Sequence, residues 1–216
     1  MRKDSAAANL TASQLPDLDL TATRVAHLTG IYAGVSATSR ETLQALIGRL
    51  HQANVPISFD PNLRPALWPD EAGMRQTLNR LAQEATLVLP GLKEGRTLTG
   101  EETPEAIAQF YFDQSPRTKA VVIKLGSRGA SFHTRVGAHG TVPGFVAERV
   151  VDTVGAGDGF ALGVLTARLE GLDWAQATAR GNAIGALGVQ SPSDNDGYPD
   201  QAGLKQFIKT ATRAVD

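Results

Sequence analysis

Short apolar runs recur along this chain, and an amphipathic stretch follows each of the first three: RVAHLTG (24–30), VPISFD (55–60), ATLVLP (85–90) and AVVIKLG (120–126). Runs of this length, alternating with helical periodicity, are what parallel strands joined by crossover helices leave in a sequence. The stretch SRETLQALIGRLHQAN sets Leu43, Leu46, Ile47 and Leu50 at helical spacing. Residues 39–54 are therefore predicted as one crossover helix, with Ser39, Glu41 and Thr42 supplying its start. The same logic predicts helices over 70–84, 103–114, 156–170, 173–190 and 200–213. The segment GASFHTRVGAHGTVPGFVAERVVD (129–152) is different: its short, glycine-punctuated runs predict antiparallel hairpins. With no internal repeat and no linker, residues 1–216 are expected to form a single α/β domain with a mostly parallel sheet.

Charge and composition narrow the partners. The formal net charge is −1 and the basic residues are dispersed, which gives no electrostatic footprint for nucleic acid or an anionic membrane surface. The chain has no cysteine, which excludes disulfides and thiol catalysis and suits a reducing compartment. No stretch approaches the length of a membrane span and the N-terminus lacks an apolar core for export, so the expected address is cytoplasmic. The four histidines (His27, His51, His133, His139) show no metal-ligand spacing and are expected to be structural or solvated, and Trp68 is expected to pack.

The chemistry concentrates in DTVGAGDGF, residues 152–160. Successive glycines at a helix start let backbone N–H groups converge on an anion, and the helix dipole favours negative charge there. Neither common phosphate loop fits: G-x-x-x-x-G-K-[ST] is absent, and G-x-G-x-x-G fails at Phe160. A carboxylate at Asp158 would repel a phosphate unless its charge is used. If a substrate hydroxyl lies between Asp158 and a γ-phosphate, Asp158 can accept its proton while the amides of Gly155, Ala156 and Gly157 take up charge on the phosphoryl group. Read alone, the stretch is more simply a tight turn with Asp158 an ordinary first-turn residue.

Asp152, Thr153, Gly155, Ala156, Gly157 and Asp158 resemble the D-T-x-G-A-G-D signature of the ribokinase-like (PfkB) carbohydrate kinases. SFDPNLRPALW (58–68), LPGLKE (89–94), VVIKLGSRGA (121–130) and GNAIGALGV (181–189) match in family order. The resemblance implies a ribokinase-like three-layer α/β/α fold, with ATP and Mg2+ used to phosphorylate a carbohydrate hydroxyl. Within the family, D-P-N-L-R followed by L-W, with an arginine ahead of SAAANL, looks most like kinases acting on 2-keto-3-deoxygluconate, a sugar acid. The resemblance makes Asp158 the base and Gly155, Ala156 and Gly157 the anion hole. It implies that Arg2 and Arg64 bind substrate, where a guanidinium fork suits a carboxylate. It gives Gly91, Lys124, Gly126, Ser127, Gly129, Gly155, Gly157 and Asn182 to the nucleotide. Glu94 matches the glutamate of an N-x-x-E motif that helps place magnesium through water, although Gly91 stands where that motif has asparagine. Without the family, Arg64 reads as a surface arginine, 121–130 as a strand leading to a turn, and Asn182 as a polar residue among helix-packing neighbours.

The resemblance also implies that N-terminal strands and a β lid are missing, together with roughly the first quarter to third of a complete kinase. Such a sheet would expose an apolar edge that invites pairing or a homo-oligomer. Three readings stay open: a sugar-acid kinase, a kinase for a neutral sugar such as fructose or ribose, and a non-catalytic nucleotide-binding fragment.

Overall fold

A computed structural model of the protein describes residues 5–191 and 197–214. The chain forms two compact units, Met1–Val121 and Val122–Asp216.

The first unit repeats strand and helix. Strands β1 (Ala26–Thr29), β2 (Ile57–Asp60), β3 (Leu87–Val88) and the start of β4 (Ala120–Lys124) pair in parallel, Ala26 opposite Ile57, Ser58 opposite Leu87 and Leu87 opposite Ala120. Around them lie α1 (Ala6–Asn9), α2 (Gly30–Val35), α3 (Ala37–Gln52), α4 (Glu71–Gln83), α5 (Leu92–Thr99) and α6 (Pro104–Gln114). All four apolar runs are strands, each shorter than the run that encodes it. Every residue of β2 is buried, whereas the residues of β1 are only partly buried or exposed. That difference is expected between an inner strand covered on both faces and an outer one.

Helix α3 buries Leu43, Ile47 and Leu50, three of its four spaced apolar residues. It begins earlier than the sequence suggested. Ser36, not Ser39, is its cap: Ser36 Oγ accepts from Ser39 N at 3.0 Å, and Ser39 Oγ accepts from Ser36 N at 2.9 Å. Serine can thus fill the place of Glu or Gln in a reciprocal capping box, a pattern easy to miss when reading for S-x-x-E. Thr42, expected at the start, instead donates to Leu10 O at 2.8 Å from inside the helix. Beside α2, α5 and α6, α4 buries Met74, Leu78 and Leu81, each contributing about 1.5–3 kcal/mol of transfer free energy.

Helices α1, α2 and α5 were not foreseen. A side chain on Gly30, the first residue of α2, would put its Cβ 2.1 Å from Pro61 O, so only glycine lets the chain turn from β1 against the loop that leaves β2.

In the second unit, β5 (Gly129–Thr134) and β6 (His139–Pro143) form the expected antiparallel hairpin, Gly129 opposite Pro143 and His133 opposite His139. Helices α7 (Ala156–Leu169), α8 (Trp174–Gly188) and α9 (Gln201–Thr210) follow. Sheet order equals chain order, β1 to β6. Helices α7 and α8 approach closely because each offers glycine at the crossing: a Cβ on Gly163 would lie 2.7 Å from Arg180 O, and one on Gly181 would lie 2.8 Å from Val164 Cγ2.

Candidate functional site

The glycine signature starts α7. Gly155 is its N-cap, in the left-handed region at φ 80° and ψ −19°, a conformation glycine adopts without the Cβ penalty. Asp152 Oδ1 accepts from Val154 N at 3.0 Å, closing the turn before the cap, and Tyr198 donates its hydroxyl to Gly155 O at 2.6 Å. In the first turn the N–H groups of Gly157 and Asp158 have no carbonyl partner inside the helix, which is the condition for binding an anion. Asp158 stands exposed in this turn.

Beside it opens a cavity of about 560 Å3, formed wholly by the second unit. Its wall takes Lys124 from the end of β4, Gly126, Ser127 and Gly129 from the turn into β5, Ala156 and Gly157 from the start of α7, and Asn182 from α8. Seven residues singled out in the sequence therefore share one cavity. Gly155 and Asp158 are not in its wall. The turn depends on glycine: Gly126 and Gly129 have φ of 68° and 104°, and a Cβ on Gly129 would meet Val142 O at 2.1 Å. Asn182 is buried, and its Nδ2 donates to Val142 O at 3.0 Å and Pro143 O at 3.3 Å, so it ties α8 to the end of β6 as well as lining the cavity.

Thr153 of the signature also lines the cavity, and most of the remaining wall is apolar and was given no role from the sequence: Phe145, Val146, Val150, Phe160, Ala186 and Val189. These residues carry no local signal of a site, since a valine in a loop looks the same wherever the loop goes. Val150 and Val146 are 68% and 52% exposed. Apolar side chains held open to solvent around a cleft are the composition of a small-molecule pocket.

Glu94 and Arg64 belong to the first unit. Glu94 accepts from Leu63 N through Oε1 and from Gly91 N through Oε2, both at 2.7 Å. It thus caps α5 and fixes the loop after β2. Gly91 meets Glu94 only through its backbone, so the contact survives the lack of an asparagine side chain. Arg64 is exposed, and its Nη1 donates to Leu63 O at 2.9 Å. Arg2 lies outside the described residues. Among the described residues no three His, Cys, Asp or Glu side chains gather to hold a metal ion, and no helix is long and apolar enough to cross a membrane.

Strands in chain order that end in a hairpin, and a left-handed glycine at the head of a helix beside an apolar cleft, define an α/β protein of the ribokinase-like fold. The chain belongs to the pfkB family of carbohydrate kinases, whose profile matches residues 1–201. It is 46% identical over 214 residues to the 2-dehydro-3-deoxygluconokinase of Bacillus subtilis (strain 168), an alignment that covers 99% of this chain and 65% of that protein. A crystal structure of a PfkB protein from Polaromonas sp. JS666 superposes with a TM-score of 0.82 at 42% identity, covering 95% of this chain and 64% of that one. An Escherichia coli protein described as a ribokinase II, in complex with ATP and Mg2+, gives a TM-score of 0.86 at 26% identity, covering 96% and 65%. The chain therefore spans just under two thirds of the length of each of these relatives.

Proposed function

We propose that the protein transfers the γ-phosphoryl group of ATP to the terminal hydroxyl of a sugar acid, 2-keto-3-deoxygluconate, giving the 6-phosphate. One observation carries the reading: the Asp158 carboxylate stands in the first turn of α7, directly after Ala156 and Gly157, which line the cavity. This placement supports a base and an anion-binding helix start within one turn. Asp158 accepts the proton as the hydroxyl oxygen bonds to the γ-phosphorus. The bond from that phosphorus to the bridging oxygen breaks, and ADP leaves with the electron pair. The N–H groups at the head of α7 take up the charge on the transferring group.

Lys124 and the Gly126–Gly129 turn belong to the phosphates, and the apolar wall with Asn182 belongs to the base. The sugar-acid assignment is supported by the 46% identical relative and by Arg64, an exposed guanidinium suited to a carboxylate; Arg2 is proposed for the same task. Magnesium, when bound, neutralises phosphate charge. Glu94 is proposed for magnesium, through water, on the family resemblance; its carboxylate oxygens take the backbone N–H groups of Leu63 and Gly91.

The test is ADP release from ATP and Mg2+ with 2-keto-3-deoxygluconate, gluconate and fructose offered separately. Saturable turnover with the keto-deoxy acid alone is expected. Turnover with fructose alone would replace the acid by a neutral sugar, and ATP binding without turnover on any acceptor would reduce the chain to a nucleotide-binding protein.

A further inference from the structure

The segment that leaves β6 forms one wall of the cavity but belongs to no strand or helix, so its shape must be set from outside. Residues 212–214 do this. Ala214 N donates to Gly144 O at 2.9 Å and Val146 N donates to Thr212 O at 2.9 Å, a short antiparallel bridge with Arg213 opposite Phe145. Between these bonds Arg213 reaches over the wall. Its guanidinium carbon lies 3.8 Å from the centre of the Phe145 ring, and Nη1 donates to Pro143 O at 3.2 Å. Phe207 of α9 packs on the same ring at 5.2 Å. Phe145 is thus 4% exposed although it lines the cavity, and Ala214 lines the cavity as well.

Pro143 O also accepts from Asn182, so the wall is gripped by α8 at one point and by the 212–214 arm at another. Partial burial strips water from the guanidinium and lowers its pKa from the ordinary arginine value. A desolvated cation over an aromatic face is the arrangement in which cation–π attraction is largest.

We propose that Arg213 is a positioning residue for the nucleotide: it acts through Phe145 and Pro143 to hold the wall against which the base of ATP packs. The inference rests on the reading of this cavity as the ATP site. It concerns no atom of the reaction, so it separates nucleotide affinity from chemistry.

The experiment measures ATP binding by calorimetry, and KM for ATP and for the acceptor with kcat, on wild type, Arg213→Ala, Arg213→Lys, Phe145→Leu and the Arg213→Ala/Phe145→Leu pair. Arg213→Ala is expected to raise Kd and KM for ATP about tenfold, or about 1.4 kcal/mol, with kcat and acceptor KM within about twofold. Lysine, which keeps a cation and a donor, is expected to recover most of the loss. The double variant is expected to lose little beyond the worse single one, as for two residues acting through one contact. Unchanged ATP affinity in Arg213→Ala, or equal losses in kcat and in affinity for both substrates, would overturn the inference while leaving the ATP site standing. Failure of wild type to bind ATP would overturn both.

Discussion

Replacing Gly163 by alanine tests whether the approach of α7 to α8 is as tight as the structure requires. The new Cβ would lie 2.7 Å from Arg180 O, 2.7 Å from Gly181 Cα and 2.8 Å from Arg180 C, where ordinary contact begins near 3.4 Å. All three are backbone atoms, so no rotamer change relieves them and the helices must part by more than half an ångström. Overpacking of this kind costs about 3 kcal/mol at the upper end of its usual range. Alanine in a helix interior returns about 1 kcal/mol relative to glycine. The net expectation is a loss of about 2 kcal/mol, which lowers Tm by about 4–8 °C in a chain of this size. Gly48→Ala in α3 is the matched control: nothing lies within 4 Å of its added Cβ, so the propensity gain stands alone and Tm should rise by about 2–4 °C. Urea unfolding followed by circular dichroism, with thermal melts alongside, measures both. If Gly163→Ala is as stable as wild type, the crossing is looser than described and the argument from close approach fails.

Asp158→Asn keeps the size and first-turn position of the side chain but removes the base; kcat should fall by about 10²–10⁴-fold with ATP affinity retained, and calorimetry beside the ADP-release assay separates the two. Tyr111 is fully buried, and its hydroxyl has no hydrogen-bond partner among the described residues. Burial, and secondarily the charge of Glu94, raise its pKa above the ordinary value of 10.0. A raised pKa means that the folded state holds its proton while the unfolded state releases it, so this contribution is complete below pH 10 and is lost as pH rises above it. Tyr111→Phe should therefore leave stability at pH 7 equal or slightly higher, and should flatten its decline above pH 10 in urea titrations.

The sequence announced elements whose cause is local. The apolar runs that became β1 to β4 and the glycine signature at the head of α7 are of this kind. Leu43, Ile47 and Leu50 reveal α3 because one face of a helix must be buried for the helix to persist. Its cap was misplaced because two serines share the reciprocal bonding that glutamate usually completes. Asn182 was visible only through the family resemblance: a buried amide that holds Val142 O and Pro143 O across some forty residues leaves no trace in its neighbours. Phe145, Arg213 and Tyr198 were invisible for the same reason. Gly30 was passed over because its constraint is the carbonyl of Pro61, thirty-one positions away.

The agreement between sheet order and chain order also bears on how the protein comes to be folded. Each parallel strand pairs with the one made about 30 residues before it, so loop closure stays short and never has to reach back past an intervening strand. A chain emerging from the ribosome can lay each strand on the edge left by the last and cover it with the helix that follows. The pairings among β1 to β4 are thus of modest sequence separation, the kind of contact that favours fast folding over the slow closure of distant strands.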